Sequence, residues 1–273
     1  MFNIDYIVSG INYVEVCINN NRWKLLDGLG PYFGISWTKD KLFILDRNKK
    51  KGEIIRIFNT KLELIDNIYI NKVLDGHQIL WYEDKLFITD TAHNGLVVYD
   101  GEINYINWTG YNTDVNHINS LTPFGKNKLL VCYNNGKHPT DYSQLVELNI
   151  VNYKAKILKR VGVMLHNFCD YYCCNSGKKS VIKLDKNFNI VHERKLELWT
   201  RGLDIKNGIL LVGGSIIAKR ADRHLFDGTV WVLDDKLNIL DTVVFPKIGQ
   251  INDIRIFNTN KPHNGINFQL EAQ

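Results

Sequence analysis

Short apolar runs return along this chain at a steady interval. Lys41-Leu-Phe-Ile-Leu-Asp46 recurs as Lys85-Leu-Phe-Ile-Thr-Asp90, 44 residues on, and Lys128-Leu-Leu-Val-Cys-Tyr133 follows 43 further. Tyr171–Asn175 and Ile209–Gly213 are weaker copies. All are rich in aromatic or β-branched residues and bounded by turn formers, the pattern of β-strands. A second run follows each: Glu53–Phe58, Leu96–Tyr99, Leu145–Leu148, Val181–Leu184 and Thr229–Leu233. An outer run then closes each unit: Leu62–Ile70, Ile103–Trp108, Lys154–Val161, Ile190–Leu198 and Ile239–Phe245. Turn chemistry such as Asn59-Thr-Lys, Asp100-Gly and Asp234-Asp-Lys separates them. With a leading segment in each unit, four strands per repeat of about 40–50 residues predict a propeller blade. No run has the 3.6-residue period of an amphipathic helix.

Five units are whole and a sixth is split. Tyr6–Ser9, Tyr13–Ile18 and Trp23–Leu26 are three strands without an innermost one, and Ile251–Ile256 is an innermost strand with nothing after it. The expected fold is all-β: one six-bladed propeller domain over 1–273, closed by the C-terminal strand joining the N-terminal blade. Such closure removes two exposed sheet edges. The polar tail after Asn258 falls outside the ring.

The leading segment of each blade lines the central channel, so equivalent positions form a ring. That ring collects Phe33 and Gly34, His77, His117, His166, Arg201, and Asn252 with Asp253. Three histidines in one register suggest two chemistries. Neutral imidazoles of His77, His117 and His166 can hold one divalent ion (zinc, manganese or iron) with positions left for water and substrate. Asp253 would then be a further ligand or orient a histidine. Alternatively the histidines act directly, His117 or His166 as nucleophile or general acid/base, while Arg201 clamps an anionic group. His77, Asn119 and Asp253 are the further candidates for contact with ligand. Strand alternation puts Asn119 on the face of His117 and turns Gln78 away from that of His77 unless a bulge intervenes. Asp46, Arg47, Asp90 and Thr91 end second strands, where they read as turn-closing residues or as a ring at the opposite mouth.

Other features change the picture less. The chain has 273 residues, 45% of them hydrophobic, which is ample for one core. The net charge of +5 includes the run Arg47, Lys49, Lys50 and Lys51, and no basic stripe with interleaved aromatics marks a nucleic-acid surface. No apolar stretch reaches membrane-spanning length, and no charged-then-apolar leader opens the chain. Five cysteines, an odd number, fit buried thiols in a reducing, cytoplasmic setting; Cys169 and Cys173 lack the second cysteine pair of a zinc site. Trp37, Trp81, Trp108, Trp199 and Trp231 stand at comparable strand positions and suit packing between blades. His93, His138, His192 and His224 fall in loops or outer strands. Two polar insertions, Asn134–Ser143 and Ser215–Gly228, read as surface loops or as a lid.

The segment Thr89-Asp-Thr-Ala-His-Asn-Gly-Leu-Val-Val-Tyr-Asp100 resembles the Asp-Thr-x-x-Asn-x-x-Val strand pairs of NHL repeats, and the whole chain lays onto the NHL and gluconolactonase-like architecture. Gluconolactonase-like enzymes bind a divalent metal with a Glu, two Asn and an Asp, where this chain has histidines. Asn116-His-Ile-Asn-Ser120 is similar to the His-x-Asn-Ser strand of bacterial arylsulfate sulfotransferases, six-bladed enzymes in which one histidine carries the transferred group. The chain also resembles bacterial propellers with a late Arg-Gly-Leu, here Arg201–Leu203, and a closing Asp-Ile-Arg, here Asp253–Arg255. The ring of His77, His117, His166 and Arg201 points to an enzyme with an axial site for a small polar, anionic substrate, acting by metal-dependent lyase or hydrolase chemistry or by histidine-mediated group transfer. The other reading is a non-catalytic scaffold that binds a protein or glycan through its loops.

Overall fold

The computed structural model describes residues 4–28, 30–48, 52–135, 141–257 and 267–271. His138, Lys49–Lys51, part of the Asn134–Ser143 insertion and most of the tail after Asn258 lie outside them. Twenty-four strands form six antiparallel four-stranded sheets, each ordered from inside to outside along the chain. The exception is the predicted one. Ile251–Ile256 pairs with Tyr6–Gly10 as the innermost strand of the first blade, outside which lie Tyr13–Ile18 and Asn21–Asp27. The other innermost strands are Tyr32–Trp37, Ile79–Tyr82, Ile118–Pro123, Leu165–Cys169 and Trp199–Lys206. Each packs on the next around the axis, and Trp199–Lys206 packs on Ile251–Ile256 to close the circle.

Burial follows this radial order. Innermost strands such as Tyr32–Trp37 and Ile251–Ile256 are buried throughout, whereas Ile190–Lys195 at the rim is exposed throughout. Six apolar clusters lie between the blades, where each fully buried Leu, Ile, Val or Phe contributes about 1.5–3 kcal/mol. Trp37 and Trp231 are buried in these seams and Trp81 stacks on Phe43, as the packing expectation required. The five cysteines are buried free thiols. Among the described residues the helical content is two short 3-10 turns, Ser176–Lys178 and Arg223–Leu225, and no helix is long and apolar enough to cross a membrane.

The inner wall departs from regular pleating. Register shifts in five of the innermost pairings leave Phe33 and Gly34, Asn119, Asn167, Arg201 and Gly202, and Asn252 outside the ladder. Bulges re-aim side chains and leave backbone groups seeking partners. Those partners come from adjacent blades. Gln78 Oε1 accepts the Leu121 N–H at 2.9 Å, Ser120 Oγ that of Asn167 at 2.9 Å, and Asn167 Oδ1 that of Gly202 at 2.8 Å. Asp253 Oδ2 accepts the Ile35 N–H at 2.9 Å, and Ser36 Oγ with Trp81 N–H at 2.7 Å and Asp204 Oδ2 with Ile256 N–H at 2.8 Å complete the belt. At Gly34 a Cβ would collide with the backbone of Gln78 and Ile79, so only glycine lets these blades approach.

Candidate functional site

Antiparallel pairing decides what surrounds the histidines. The end of each second strand lies beside the start of its first, so Arg47 and Thr91 stand at the histidine mouth. Thr91 Oγ1 is 3.0 Å from His77 Nδ1, and Arg47 Nη1 is 2.7 Å from Asp75, two residues before His77. The expectation that these strand ends ring the opposite mouth is corrected by that pairing. Asp46 and Asp90 do close local structure, with Arg56 at 2.6 Å and His93 at 2.7 Å.

All three axial histidines are buried. His77 and His117 meet edge to face with ring centroids 5.4 Å apart, and Phe33 packs on the other side of His77 at 5.4 Å. His166 lies against Trp199 at 6.3 Å and within the electrostatic reach of Arg201, His77 and His117. His117 and Asn167 both take positive φ, 47° in each case, a conformation that costs non-glycine residues energy and is held only by its surroundings.

The hydrogen bonds assign one tautomer to all three rings. Thr91 donates its hydroxyl proton to the Ile118 carbonyl at 2.5 Å, so it accepts from His77 Nδ1–H. His166 Nδ1 is 2.9 Å from the Met164 carbonyl, which can only accept, and 2.8 Å from Ser176 Oγ, whose own proton goes to the Thr200 carbonyl at 2.5 Å. His117 Nδ1 faces the Asp114 carboxylate at 3.1 and 3.2 Å. Each Nδ1 therefore carries a proton, and in the neutral ring Nε2 offers a lone pair; no Nε2 has a partner among the described residues. His166 Nε2 is fully enclosed. Burial, and then neighbouring guanidinium charge, hold His77 and His166 well below the ordinary histidine value, so both are neutral at neutral pH.

Arg201 is the second anomaly. It is 8% exposed, its Nε is buried without a partner, and no described carboxylate pairs with it. Burial, then Arg223 and Arg47, pushes its pKa down to about 9. Arg47 is 4% exposed, spans the Phe33 ring at 3.8 Å and is partly neutralised by Asp75. Behind it, Glu53 accepts the N–H groups of Leu74 and Gly76, and burial raises its pKa to about 7.

The insertion between Ser215 and Gly228 lies over this mouth. Arg220 Nη2 reaches Asp75 at 3.2 Å across the ring, the half-buried Arg223 adds its charge to those of Arg47 and Arg201, and Asn12 holds the His224 carbonyl at 2.7 Å. The lid reading of this segment matches its placement. His192 is exposed on an outer strand.

Two expected site residues behave differently from the rest. Asn119 is 2% exposed with both amide atoms unpartnered, and Gln78 Nε2 is likewise buried and unpartnered. Asp253 is fully buried: Oδ1 meets Asn167 Nδ2 at 2.9 Å, Arg255 Nη1 at 2.9 Å and Ile254 N–H at 3.0 Å, while Oδ2 takes Ile35 N–H. These bonds tie it into the wall of the ring. The donors do not suit the expected metal ion: among the described residues no three His, Cys, Asp or Glu side chains are grouped to hold one, and the adjacent guanidiniums repel a cation. Sequence reasoning missed Asp75, Asp114, Ser176 and the placement of Arg47 and Thr91 at the histidine mouth. The strand register alone could have found the last two.

No family model matches this chain. No curated protein matches its sequence. Solved structures share its architecture. A propeller in a nidogen/laminin complex aligns with a TM-score of 0.70 at 12% identity, covering 95% of this chain and 99% of that one. A protein of unknown function from Bacteroides caccae gives 0.68 at 14% identity over 94% and 100% of the two chains. Virginiamycin B lyase from Staphylococcus aureus gives 0.51 at 12% identity over 83% and 94%. At such identities the likeness concerns the fold alone, and one propeller carries many functions. The chain is a six-bladed β-propeller, with a lyase among the proteins that share its architecture.

Proposed function

We propose that this propeller is an enzyme whose axial site binds a small anionic substrate through Arg201 and removes a proton from it with His117. The observation that carries the reading is the buried Arg201 guanidinium without a carboxylate. An uncompensated buried cation is costly, and a site retains one where a ligand supplies the missing charge. Arg47 and Arg223 extend the same positive field towards the lid, which attracts anions into a narrow mouth.

His117 alone among the three rings has a carboxylate on its Nδ1. Asp114 fixes the tautomer, aims Nε2 as the base and stabilises the imidazolium formed when that atom takes a proton, the role a carboxylate plays in a hydrolase triad. His77 and His166, held neutral, accept hydrogen bonds and position the substrate. Metal chemistry has no part in this reading because the donor set does not fit an ion. The fold similarity to a lyase is compatible with proton abstraction and supports no particular substrate.

The test is titration of the purified protein with small carboxylates and phosphate monoesters, beside Arg201→Met and His117→Gln. Arg201→Met should abolish binding. His117→Gln should retain binding and lose turnover of any substrate found. Binding that is indifferent to Arg201 would defeat the proposal.

A further inference from the structure

The donors and acceptors that face the axial site do not match a bare oxyanion. Its cationic donors are the guanidiniums of Arg201, Arg47 and Arg223. Its other unpartnered groups are the Nε2 atoms of His77, His117 and His166, which accept when the rings are neutral, Asn119 Oδ1, which also accepts, and two amide donors, Asn119 Nδ2 and Gln78 Nε2. Sulfate, a simple carboxylate or an alkyl phosphate presents only acceptor oxygens at neutral pH. It would satisfy the guanidiniums and leave three imidazole lone pairs facing apolar atoms or other lone pairs. A buried polar group without a partner costs about 1–3 kcal/mol.

The neutral imidazoles cannot shift tautomer to repair this mismatch. Moving the proton to Nε2 would leave a bare Nδ1 against the Met164 carbonyl for His166, and against the Asp114 carboxylate for His117. Both are acceptors, so each bond would become a repulsion. For His77, Thr91 would have to abandon its bond to the Ile118 carbonyl to donate instead. At His77 and His166, taking up a second proton is opposed by burial and by the same guanidiniums that attract the anion.

From this inventory we infer that the axial ligand is a polyhydroxylated anion, an acid or phosphate monoester whose hydroxyl groups donate to the three Nε2 atoms while its charged group pairs with Arg201. The inference rests on the anion-site reading above and narrows its substrate class. Carboxylate and phosphate share the required chemistry, and the hydroxyls distinguish the ligand from other anions. The unpartnered amide of Asn119 and the unpartnered Nε2 of Gln78 extend the same polar lining beyond the imidazoles.

The experiment compares matched pairs by calorimetry: gluconate with hexanoate, and glucose 6-phosphate with hexyl phosphate, alongside sulfate and uncharged glucose. Each hydroxyl-to-imidazole bond is worth about tenfold at most in affinity. The hydroxylated member of at least one pair should therefore bind tenfold or more tighter than its partner. The pair showing the larger preference identifies the charged group. His166→Phe, which removes the acceptor and keeps a ring, should erase much of that preference and spare the weak binding of the alkyl anion; circular dichroism and thermal melting check its fold. His77→Phe serves if His166→Phe does not fold. Hexanoate or hexyl phosphate binding as tightly as its hydroxylated partner overturns this inference and leaves the anion site standing. Glucose binding as tightly as gluconate, with no effect of Arg201→Met, overturns both.

Discussion

His117 points its Nδ1–H at the Asp114 carboxylate, 3.1 Å away and three residues earlier in the chain. Because His117 sits at positive φ, the backbone turns between the two residues and its imidazole enters the channel with Nε2 unengaged. His77 and His166 make the equivalent bond to neutral oxygens. In the proposed function this difference makes one ring in three the base and the other two acceptors.

The tautomers are directly observable. Long-range ¹⁵N–¹H correlation should report protonated Nδ1 for His77, His117 and His166, and bare Nε2 for His77 and His166 at neutral pH. Asp114→Ala should redistribute the proton of His117 and leave the other two rings unchanged. A wild-type His117 protonated on Nε2 would remove the basis for its role as base.

Arg201 should matter for ligand and not for folding. Replacing it with Met removes a buried charge that has no protein partner, so stability to urea should stay equal or rise, whereas anion affinity should fall by about 2–5 kcal/mol. A variant destabilised by more than about 2 kcal/mol would mean that the guanidinium supports the fold.

Arg255 should behave in the opposite way. Its Nη1 pairs with Asp253 at 2.9 Å and its Nε bonds the Ile35 carbonyl at 3.1 Å, both deep in the wall. Arg255→Met strands the Asp253 charge and should cost about 3–5 kcal/mol of unfolding free energy. Loss of ligand binding in a variant that kept full stability would instead place this pair in the site.

Stability should fall in mild acid. His77 and His166 have folded pKa values well below 6.5, so the unfolded chain binds more protons than the folded one below that value. The stabilisation is complete above about pH 6.5 and drains away below it, at up to about 1.4 kcal/mol per pH unit for each ring. Glu53, raised to about 7, has the reverse sign: the folded protein binds the extra proton, so its contribution is present below about 4.5 and declines as pH rises towards 7. His166→Asn should flatten the acid limb and Glu53→Gln should steepen it in urea unfolding measured across pH 4.5–7.5. Unchanged limbs in both variants would contradict the burial argument.

The architecture was legible because each blade repeats the same strand alternation and its turns carry their own chemistry. The split first blade was visible for the same reason: Ile251–Ile256 has the apolar content of an innermost strand and no hairpin partner following it. The channel wall was less legible. Alternation assigned Gln78 and Asn119 to opposite treatments, but a bulge breaks the period of two at Asn119 and Gln78 lies just ahead of its strand, and in the structure both are buried, Asn119 with both amide atoms and Gln78 with its Nε2 unpartnered. Asp253 looked like an available carboxylate because sequence shows residue type and not partners; four groups already bond its oxygens. Arg47 was hidden in a run of basic residues, although the antiparallel pairing of Tyr32–Trp37 with Leu42–Asn48 fixes its place beside the mouth.

The most direct test is the affinity of gluconate and glucose 6-phosphate for the wild-type protein and for Arg201→Met, measured by calorimetry at pH 7.5. The account predicts saturable, one-to-one binding of at least one of them and a loss of tenfold or more in the variant, with melting temperature preserved. Equal affinity in the two proteins, or no binding of any small anion to the folded wild type, would contradict the claim that a buried guanidinium awaits its counter-charge in the channel.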